Sequence, residues 1–219
     1  MRSIVKTARI AAALAFAVSA CNAGPGSRTM NEAQLRSVII QAANQKNIAH
    51  LLELEPTVMM QSSPVRAIYR AAEFYADPPR YRLSFVKTFP TDHDNVASFW
   101  ALLPSKGNGF QRGFPYEALG EIAAGGDAIA VRKLMLATDA SDGAVAEILG
   151  DLLDAAAVKH PSLILQQMAR LPYAKAWNLA GNSYAWCNAA KAIRTSRPRT
   201  FQQRRLQNRV ASSIAHGCP

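Results

Sequence analysis

The chain has 219 residues, 49 % of them hydrophobic and 18 % charged. That is enough chain to bury a sizeable core, and the composition excludes wholesale disorder. Its 25 Lys and Arg against 15 Asp and Glu give a formal charge of +10, and the excess is localised: Ala155 to Pro219 holds ten of the cations and no acid.

The first element is a leader. Arg2, Lys6 and Arg9 form a cationic start, and Ile10 to Val18 an apolar run. A spanning helix needs about 20 apolar residues, so this run is too short and reads as a secretory signal peptide. Val18-Ser19-Ala20-Cys21 resembles the lipobox of bacterial lipoprotein precursors. That resemblance implies cleavage before Cys21 and a diacylglycerol on its sulfur, so that the mature protein is anchored to a bilayer without spanning it. Asn22 stands where an Asp would favour retention in the inner membrane, which points to the periplasmic face of the outer membrane. Residues 1–20 are then the removable signal, 21–30 a lipidated, Gly- and Pro-containing tether, and 31–219 one domain.

The remaining chain reads as helices. Asn31 and Gln34 are spaced as a capping box ahead of Leu35, Val38, Ile39 and Ala42. The pattern breaks near Asn47 and resumes through Leu51 and Leu54 to end before Pro56. Ser63-Pro64 opens the next helix, with Ser63 as cap. Asp77-Pro78-Pro79 closes it and caps another through Val86. Asp92 or Asp94 caps a helix carrying Val96, Phe99, Trp100 and Leu103. A Gly- and Pro-rich loop is expected over 104–115. Tyr116 to Ala123 is the fifth helix, closed by Gly125-Gly126, and Asp127 caps the sixth. Residues 143–159 are the seventh, Pro161 to Leu171 the eighth, 173–194 a ninth that can break at Gly181-Asn182, and Thr200 to Ala215 the last. The expected fold class is all-α, with about ten short helices.

Gly126-Asp127-Ala128-Ile129-Ala130-Val131-Arg132 is similar to the start of the inner helix in HEAT-type repeats, with Ser63-Pro64-Val65-Arg66 a fainter echo. The resemblance implies a HEAT-like α-solenoid; an irregular helical bundle fits the same helices.

No metalloprotease, nucleophile-elbow or phosphate-loop motif occurs, so no catalytic residue, metal site or cofactor is assigned. Asp92-His93-Asp94 is the one dense polar cluster, most simply a helix cap. Glu147, Asp151 and Asp154 share a helical face by spacing, either solvated or meeting cations from elsewhere. Besides Cys21, Cys187 and Cys218 are the only cysteines. In an exported protein they are expected to pair, stabilising the chain by about 3–4 kcal/mol in the chain-entropy view.

Lys191, Arg194, Arg197, Arg199, Arg204, Arg205 and Arg209 fall between those cysteines with no acid among them. Arg presents a planar fork suited to carboxylate and phosphate. Export makes an acidic protein or anionic envelope component the expected partner and argues against nucleic acid. The chain is therefore expected to be a lipid-anchored binding module, immunity-like or adaptor-like. The alternatives are an envelope-polymer hydrolase using Glu147, Asp151, Asp154 or Asp92 and His93, and a structural protein holding anionic lipid.

Overall fold

The computed structural model describes residues 30–105 and 109–214, except the side chains of Ser183 and Tyr184. Cys21, the leader and Cys218 lie outside the described residues. The described residues from Asn31 onward belong to one compact unit.

Local capping chemistry sets most helix starts. In α1 (Glu32–Asn44) the Asn31 side chain accepts from Gln34 N at 2.9 Å, and the Gln34 side chain accepts from Asn31 N at 3.1 Å, a reciprocal capping box. Asn47 caps α2 (Ile48–Met59). This helix runs through Pro56 instead of stopping before it. An interior proline costs about 3 kcal/mol, but Leu51, Leu54 and Val58 are buried on both sides of it. Each such side chain stabilises by about 1.5–3 kcal/mol, so packing overrides the local preference.

The cap of α3 (Ser63–Ala76) is Ser62, and Ser63 is already helical. Asp77 caps α4 (Pro78–Thr88), and Asp92, not Asp94, caps α5 (His93–Leu102) by accepting from Asn95 N at 3.1 Å. The loop after α5 is shorter than expected, because α6 (Gly113–Ala124) begins inside it. Phe110 anchors the loop: its ring is buried and its N–H donates to Asn44 Oδ1 at 2.7 Å.

At the next turn Gly126 adopts φ +88°, a left-handed conformation that favours glycine. Asp127 then accepts from Ile129 N and Ala130 N, both at 3.0 Å, and starts α7 (Ala128–Ala140). The helices α8 (Gly143–Lys159) and α9 (Pro161–Met168) follow, α9 ending before Leu171.

The expected ninth helix is divided into α10 (Tyr173–Gly181), a 3-10 turn (Ser183–Trp186) and α11 (Ala190–Thr195). Trp186 is fully buried and donates from Nε1 to Leu179 O at 2.8 Å, folding the chain back on itself. The last helix is α12 (Phe201–Ile214), facing inward through Leu206 and Val210.

The fold is all-α, with no strand among the described residues. α7 packs on α4, α5, α6, α8, α9 and α10, and its Val131, Leu134 and Met135 are fully buried. In a stack of helical pairs each pair contacts its neighbouring pairs, so contacts of α7 with helices up to three away in sequence are consistent with a helical bundle or with a solenoid. One half of the core is aromatic: Phe89 meets both Phe99 and Tyr116 edge-on at 5.5 Å, and Phe74 stacks on Phe85 at 4.7 Å.

One charge cluster, partly exposed at Arg70 and Glu55 and buried at Glu73, crosses α2 and α3. Arg70 donates to Glu73 at 2.7 Å and to Glu55 at 2.8 Å. Glu73 is 1 % exposed, and its other oxygen, Oε1, has no partner among the described residues. Burial pushes the Glu73 carboxyl above the usual range, and the Arg70 guanidinium only partly offsets this. A carboxyl raised in the folded state contributes stability that is present below its unfolded pKa and lost as pH rises through the folded value. Wild type should therefore gain stability relative to Glu73→Gln as pH falls from neutrality through the carboxyl range near pH 4. Denaturant melts of both proteins between pH 7 and pH 3 check this; a constant difference would contradict it.

Candidate functional site

The basic C-terminal segment is fixed in place by two buried polar side chains. Asp154 of α8 is 3 % exposed and points away from solvent, unlike the exposed Glu147 and Asp151. It accepts from Asn188 N at 2.8 Å, Asn188 Nδ2 at 2.7 Å and Ala189 N at 2.7 Å. These bonds hold the chain just before α11. Gln207 of α12 holds the other end of α11: its Nε2 donates to the carbonyls of Ile193 at 2.7 Å, Arg194 at 3.1 Å and Ser196 at 2.9 Å. Ile193 O also accepts from Ser196, while the Arg194 and Ser196 carbonyls, past the reach of the helix ladder, are satisfied by Gln207. Cys187, between the 3-10 turn and α11, is disulfide-bonded.

On this frame the seven predicted cations sort into groups. Arg205 and Arg209, one turn apart on α12, lie over aromatic side chains. The Arg205 guanidinium sits 5.5 Å from the Tyr173 ring centre, 5.7 Å from Trp177 and 5.9 Å from Phe201, and donates to Tyr173 Oη at 3.0 Å. Arg209 lies 5.1 Å from the Trp177 ring. The Tyr173 and Trp177 rings are themselves stacked at 5.8 Å. A ring face attracts a cation without neutralising it, contributing about 0.5–1 kcal/mol at exposed sites.

The Arg209 head also lies against Gly181, where an added Cβ would stand 2.6 Å from Nη2. A small recess of about 340 Å³ opens beside Trp177, Arg205 and Arg209. Arg197 and Arg199 line a second recess of about 150 Å³ over α9, beside Gln166 and Gln203. Lys191, Arg194 and Arg204 are exposed.

None of the seven forms an ion pair among the described residues. The ion pairs found there join Arg70 to Glu55 and Glu73, His50 to Glu53, Arg82 to Asp127, and Lys175 to Asp139. The carboxylates of α8 therefore do not meet the basic segment as counter-ions; Asp154 binds backbone and amide groups instead.

The aromatic bed escaped the sequence reading. Its signal is present as pairs spaced one turn apart, Tyr173 with Trp177 on α10 and Phe201 with Arg205 and Arg209 on α12. Pairing the two helices needed the tertiary fold.

Asp92 and His93 bond groups of the fold itself. Asp92 caps α5, and its carboxyl lies below the usual range because Asn95 donates to it. His93 Nδ1 lies 2.9 Å from Ala140 O. Among the described residues no three His, Cys, Asp or Glu gather as metal ligands, and no helix is long and apolar enough to cross a membrane.

Compared with protein families, curated proteins and solved structures, the chain matches none.

Proposed function

We propose that this chain is a lipid-anchored binding module of the bacterial envelope, immunity-like or adaptor-like, whose α10–α12 face holds an acidic partner. The observation that carries this reading is the state of the basic segment. Its seven cations have no carboxylate partner among the described residues, and two of them are pre-positioned on aromatic rings. Arginines oriented before binding lose less side-chain freedom on complex formation, and arginine and aromatic residues are the usual anchors of protein interfaces.

The lipobox supports attachment through Cys21 on the periplasmic face of the outer membrane. Pairing of Cys187 with Cys218 would tie the end of α12 to the 3-10 turn and keep the basic face closed on the body.

The test is capture of partners from solubilised envelopes, comparing wild type with the Arg204→Gln/Arg205→Gln/Arg209→Gln variant. Wild type should retain an acidic protein that elutes with rising salt, and the variant should retain at least tenfold less of it. Identical partners at equal yield would contradict the reading.

A further inference from the structure

A second cationic site lies away from the α10–α12 face. The end of α2, the start of α3, the α4–α5 connection and Lys133 of α7 surround a cleft of about 380 Å³. Small-molecule sites run from about 300 to 1,000 Å³, so this cleft fits a small ligand. Arg66, Arg70, Lys87 and Lys133 line it, with Asp92 as its one acid.

The charges are not balanced within the protein. Arg70 is committed to Glu55 and Glu73. The Asp92 carboxylate is occupied by Asn95, whose backbone N donates at 3.1 Å and Nδ2 at 2.8 Å. Among the described residues Arg66 donates only to Gln61 O, at 3.1 Å, which leaves most of its fork uncommitted there. Lys133 donates to Phe89 O at 3.0 Å and has no carboxylate partner among the described residues. Its ammonium is half-buried, and burial pulls its pKa below the usual lysine range. A half-buried cation without a counter-ion carries part of that desolvation cost, and an arriving anion relieves it. Met59, 37 % exposed, supplies an apolar wall, backed by the buried Ala67 and Phe89.

We propose that this cleft binds a small molecule carrying clustered oxyanions, a phosphate ester or a dicarboxylate, with Lys133 and Arg66 as its principal contacts. Arg66 supplies a bidentate fork and Lys133 a point charge, and the apolar wall accepts the body of the ligand.

Titration calorimetry of the purified full chain tests this, with pyrophosphate, phenyl phosphate and succinate as probes. At least one should bind saturably at one site per chain; the phosphate and succinate arms separate the two sources of oxyanion. Arg66→Gln and Lys133→Met should each weaken that binding at least tenfold, while Arg205→Gln/Arg209→Gln leaves it unchanged. Saturation by none of the probes, or loss of binding only in the Arg205/Arg209 variant, would overturn the proposal. A readout free of substitutions is acetylation of the native chain followed by mass spectrometry. A saturating probe should slow modification of Lys133 severalfold and leave Lys191 unaffected; equal rates at both lysines with and without probe would also overturn the proposal.

Discussion

Asp154→Ala should destabilise the protein by about 4 kcal/mol, the sum of bonds to a charged acceptor worth about 1.5–3 kcal/mol each, less what water recovers at the exposed Asn188. The carboxylate holds three donors at 2.7–2.8 Å, and one of them, Ala189 N, is buried. Truncation leaves that N–H without an acceptor and releases the link between α8 and the start of α11. Asp154→Asn keeps one acceptor oxygen and should lose about half as much. The effect is also directional. Hydrogen exchange should quicken first from Asn188 through α12, because α11 is positioned by this contact, while α1–α5 stay protected. Urea unfolding gives the magnitude and exchange the location. A loss below about 1 kcal/mol would show that the bonds are replaceable by water.

Arg70→Met should cost about 3–5 kcal/mol, the usual cost of removing one partner from a buried ion pair. Glu73 is left as a carboxylate at 1 % exposure with neither oxygen bonded to a cation. The double variant Arg70→Met/Glu73→Gln should recover most of the loss, since it removes the stranded charge as well as its partner. The single variant should also be rescued by acid: without Arg70 to offset its burial the Glu73 carboxyl rises further, so as pH falls it takes up a proton and the buried charge disappears. Unfolding of wild type, both single variants and the double, at pH 7 and near pH 4, completes the cycle. A double variant no more stable than Arg70→Met would contradict this account of the cluster.

Capping was the part of the fold most legible in the amino-acid sequence. Asn31, Asp77, Asp92 and Asp127 each bond a backbone N–H within three residues, a local event that spacing alone reveals. The misreading at Pro56 and the break that 173–194 takes at Gly181-Asn182 have one cause, the dominance of distant contacts over local signals. Pro56 lies inside α2 because Leu51, Leu54 and Val58 are buried around it. The stretch 173–194 breaks because Trp186 turns back on Leu179 and Asp154 takes the N–H groups of Asn188 and Ala189.

The candidate site divides in the same way. Its charge was plain, because ten cations without an acid need no fold to be seen. The ring bed beneath Arg205 and Arg209 joins residues about thirty positions apart and became visible only once α10 lay beside α12. Asp154 shares helical spacing with Glu147 and Asp151. Its inward role depends on a partner segment 34–35 residues away.

Site-directed photo-crosslinking in intact cells tests the central claim most directly. A photoreactive residue replaces Arg204 on the basic face or, as the control, the exposed Leu83 on α4, which packs against α3 and α7. The account predicts a discrete protein adduct from position 204, absent from position 83 and lost when Arg205→Gln and Arg209→Gln are added. The same adducts from both positions, or adducts from position 204 that survive those substitutions, would contradict it.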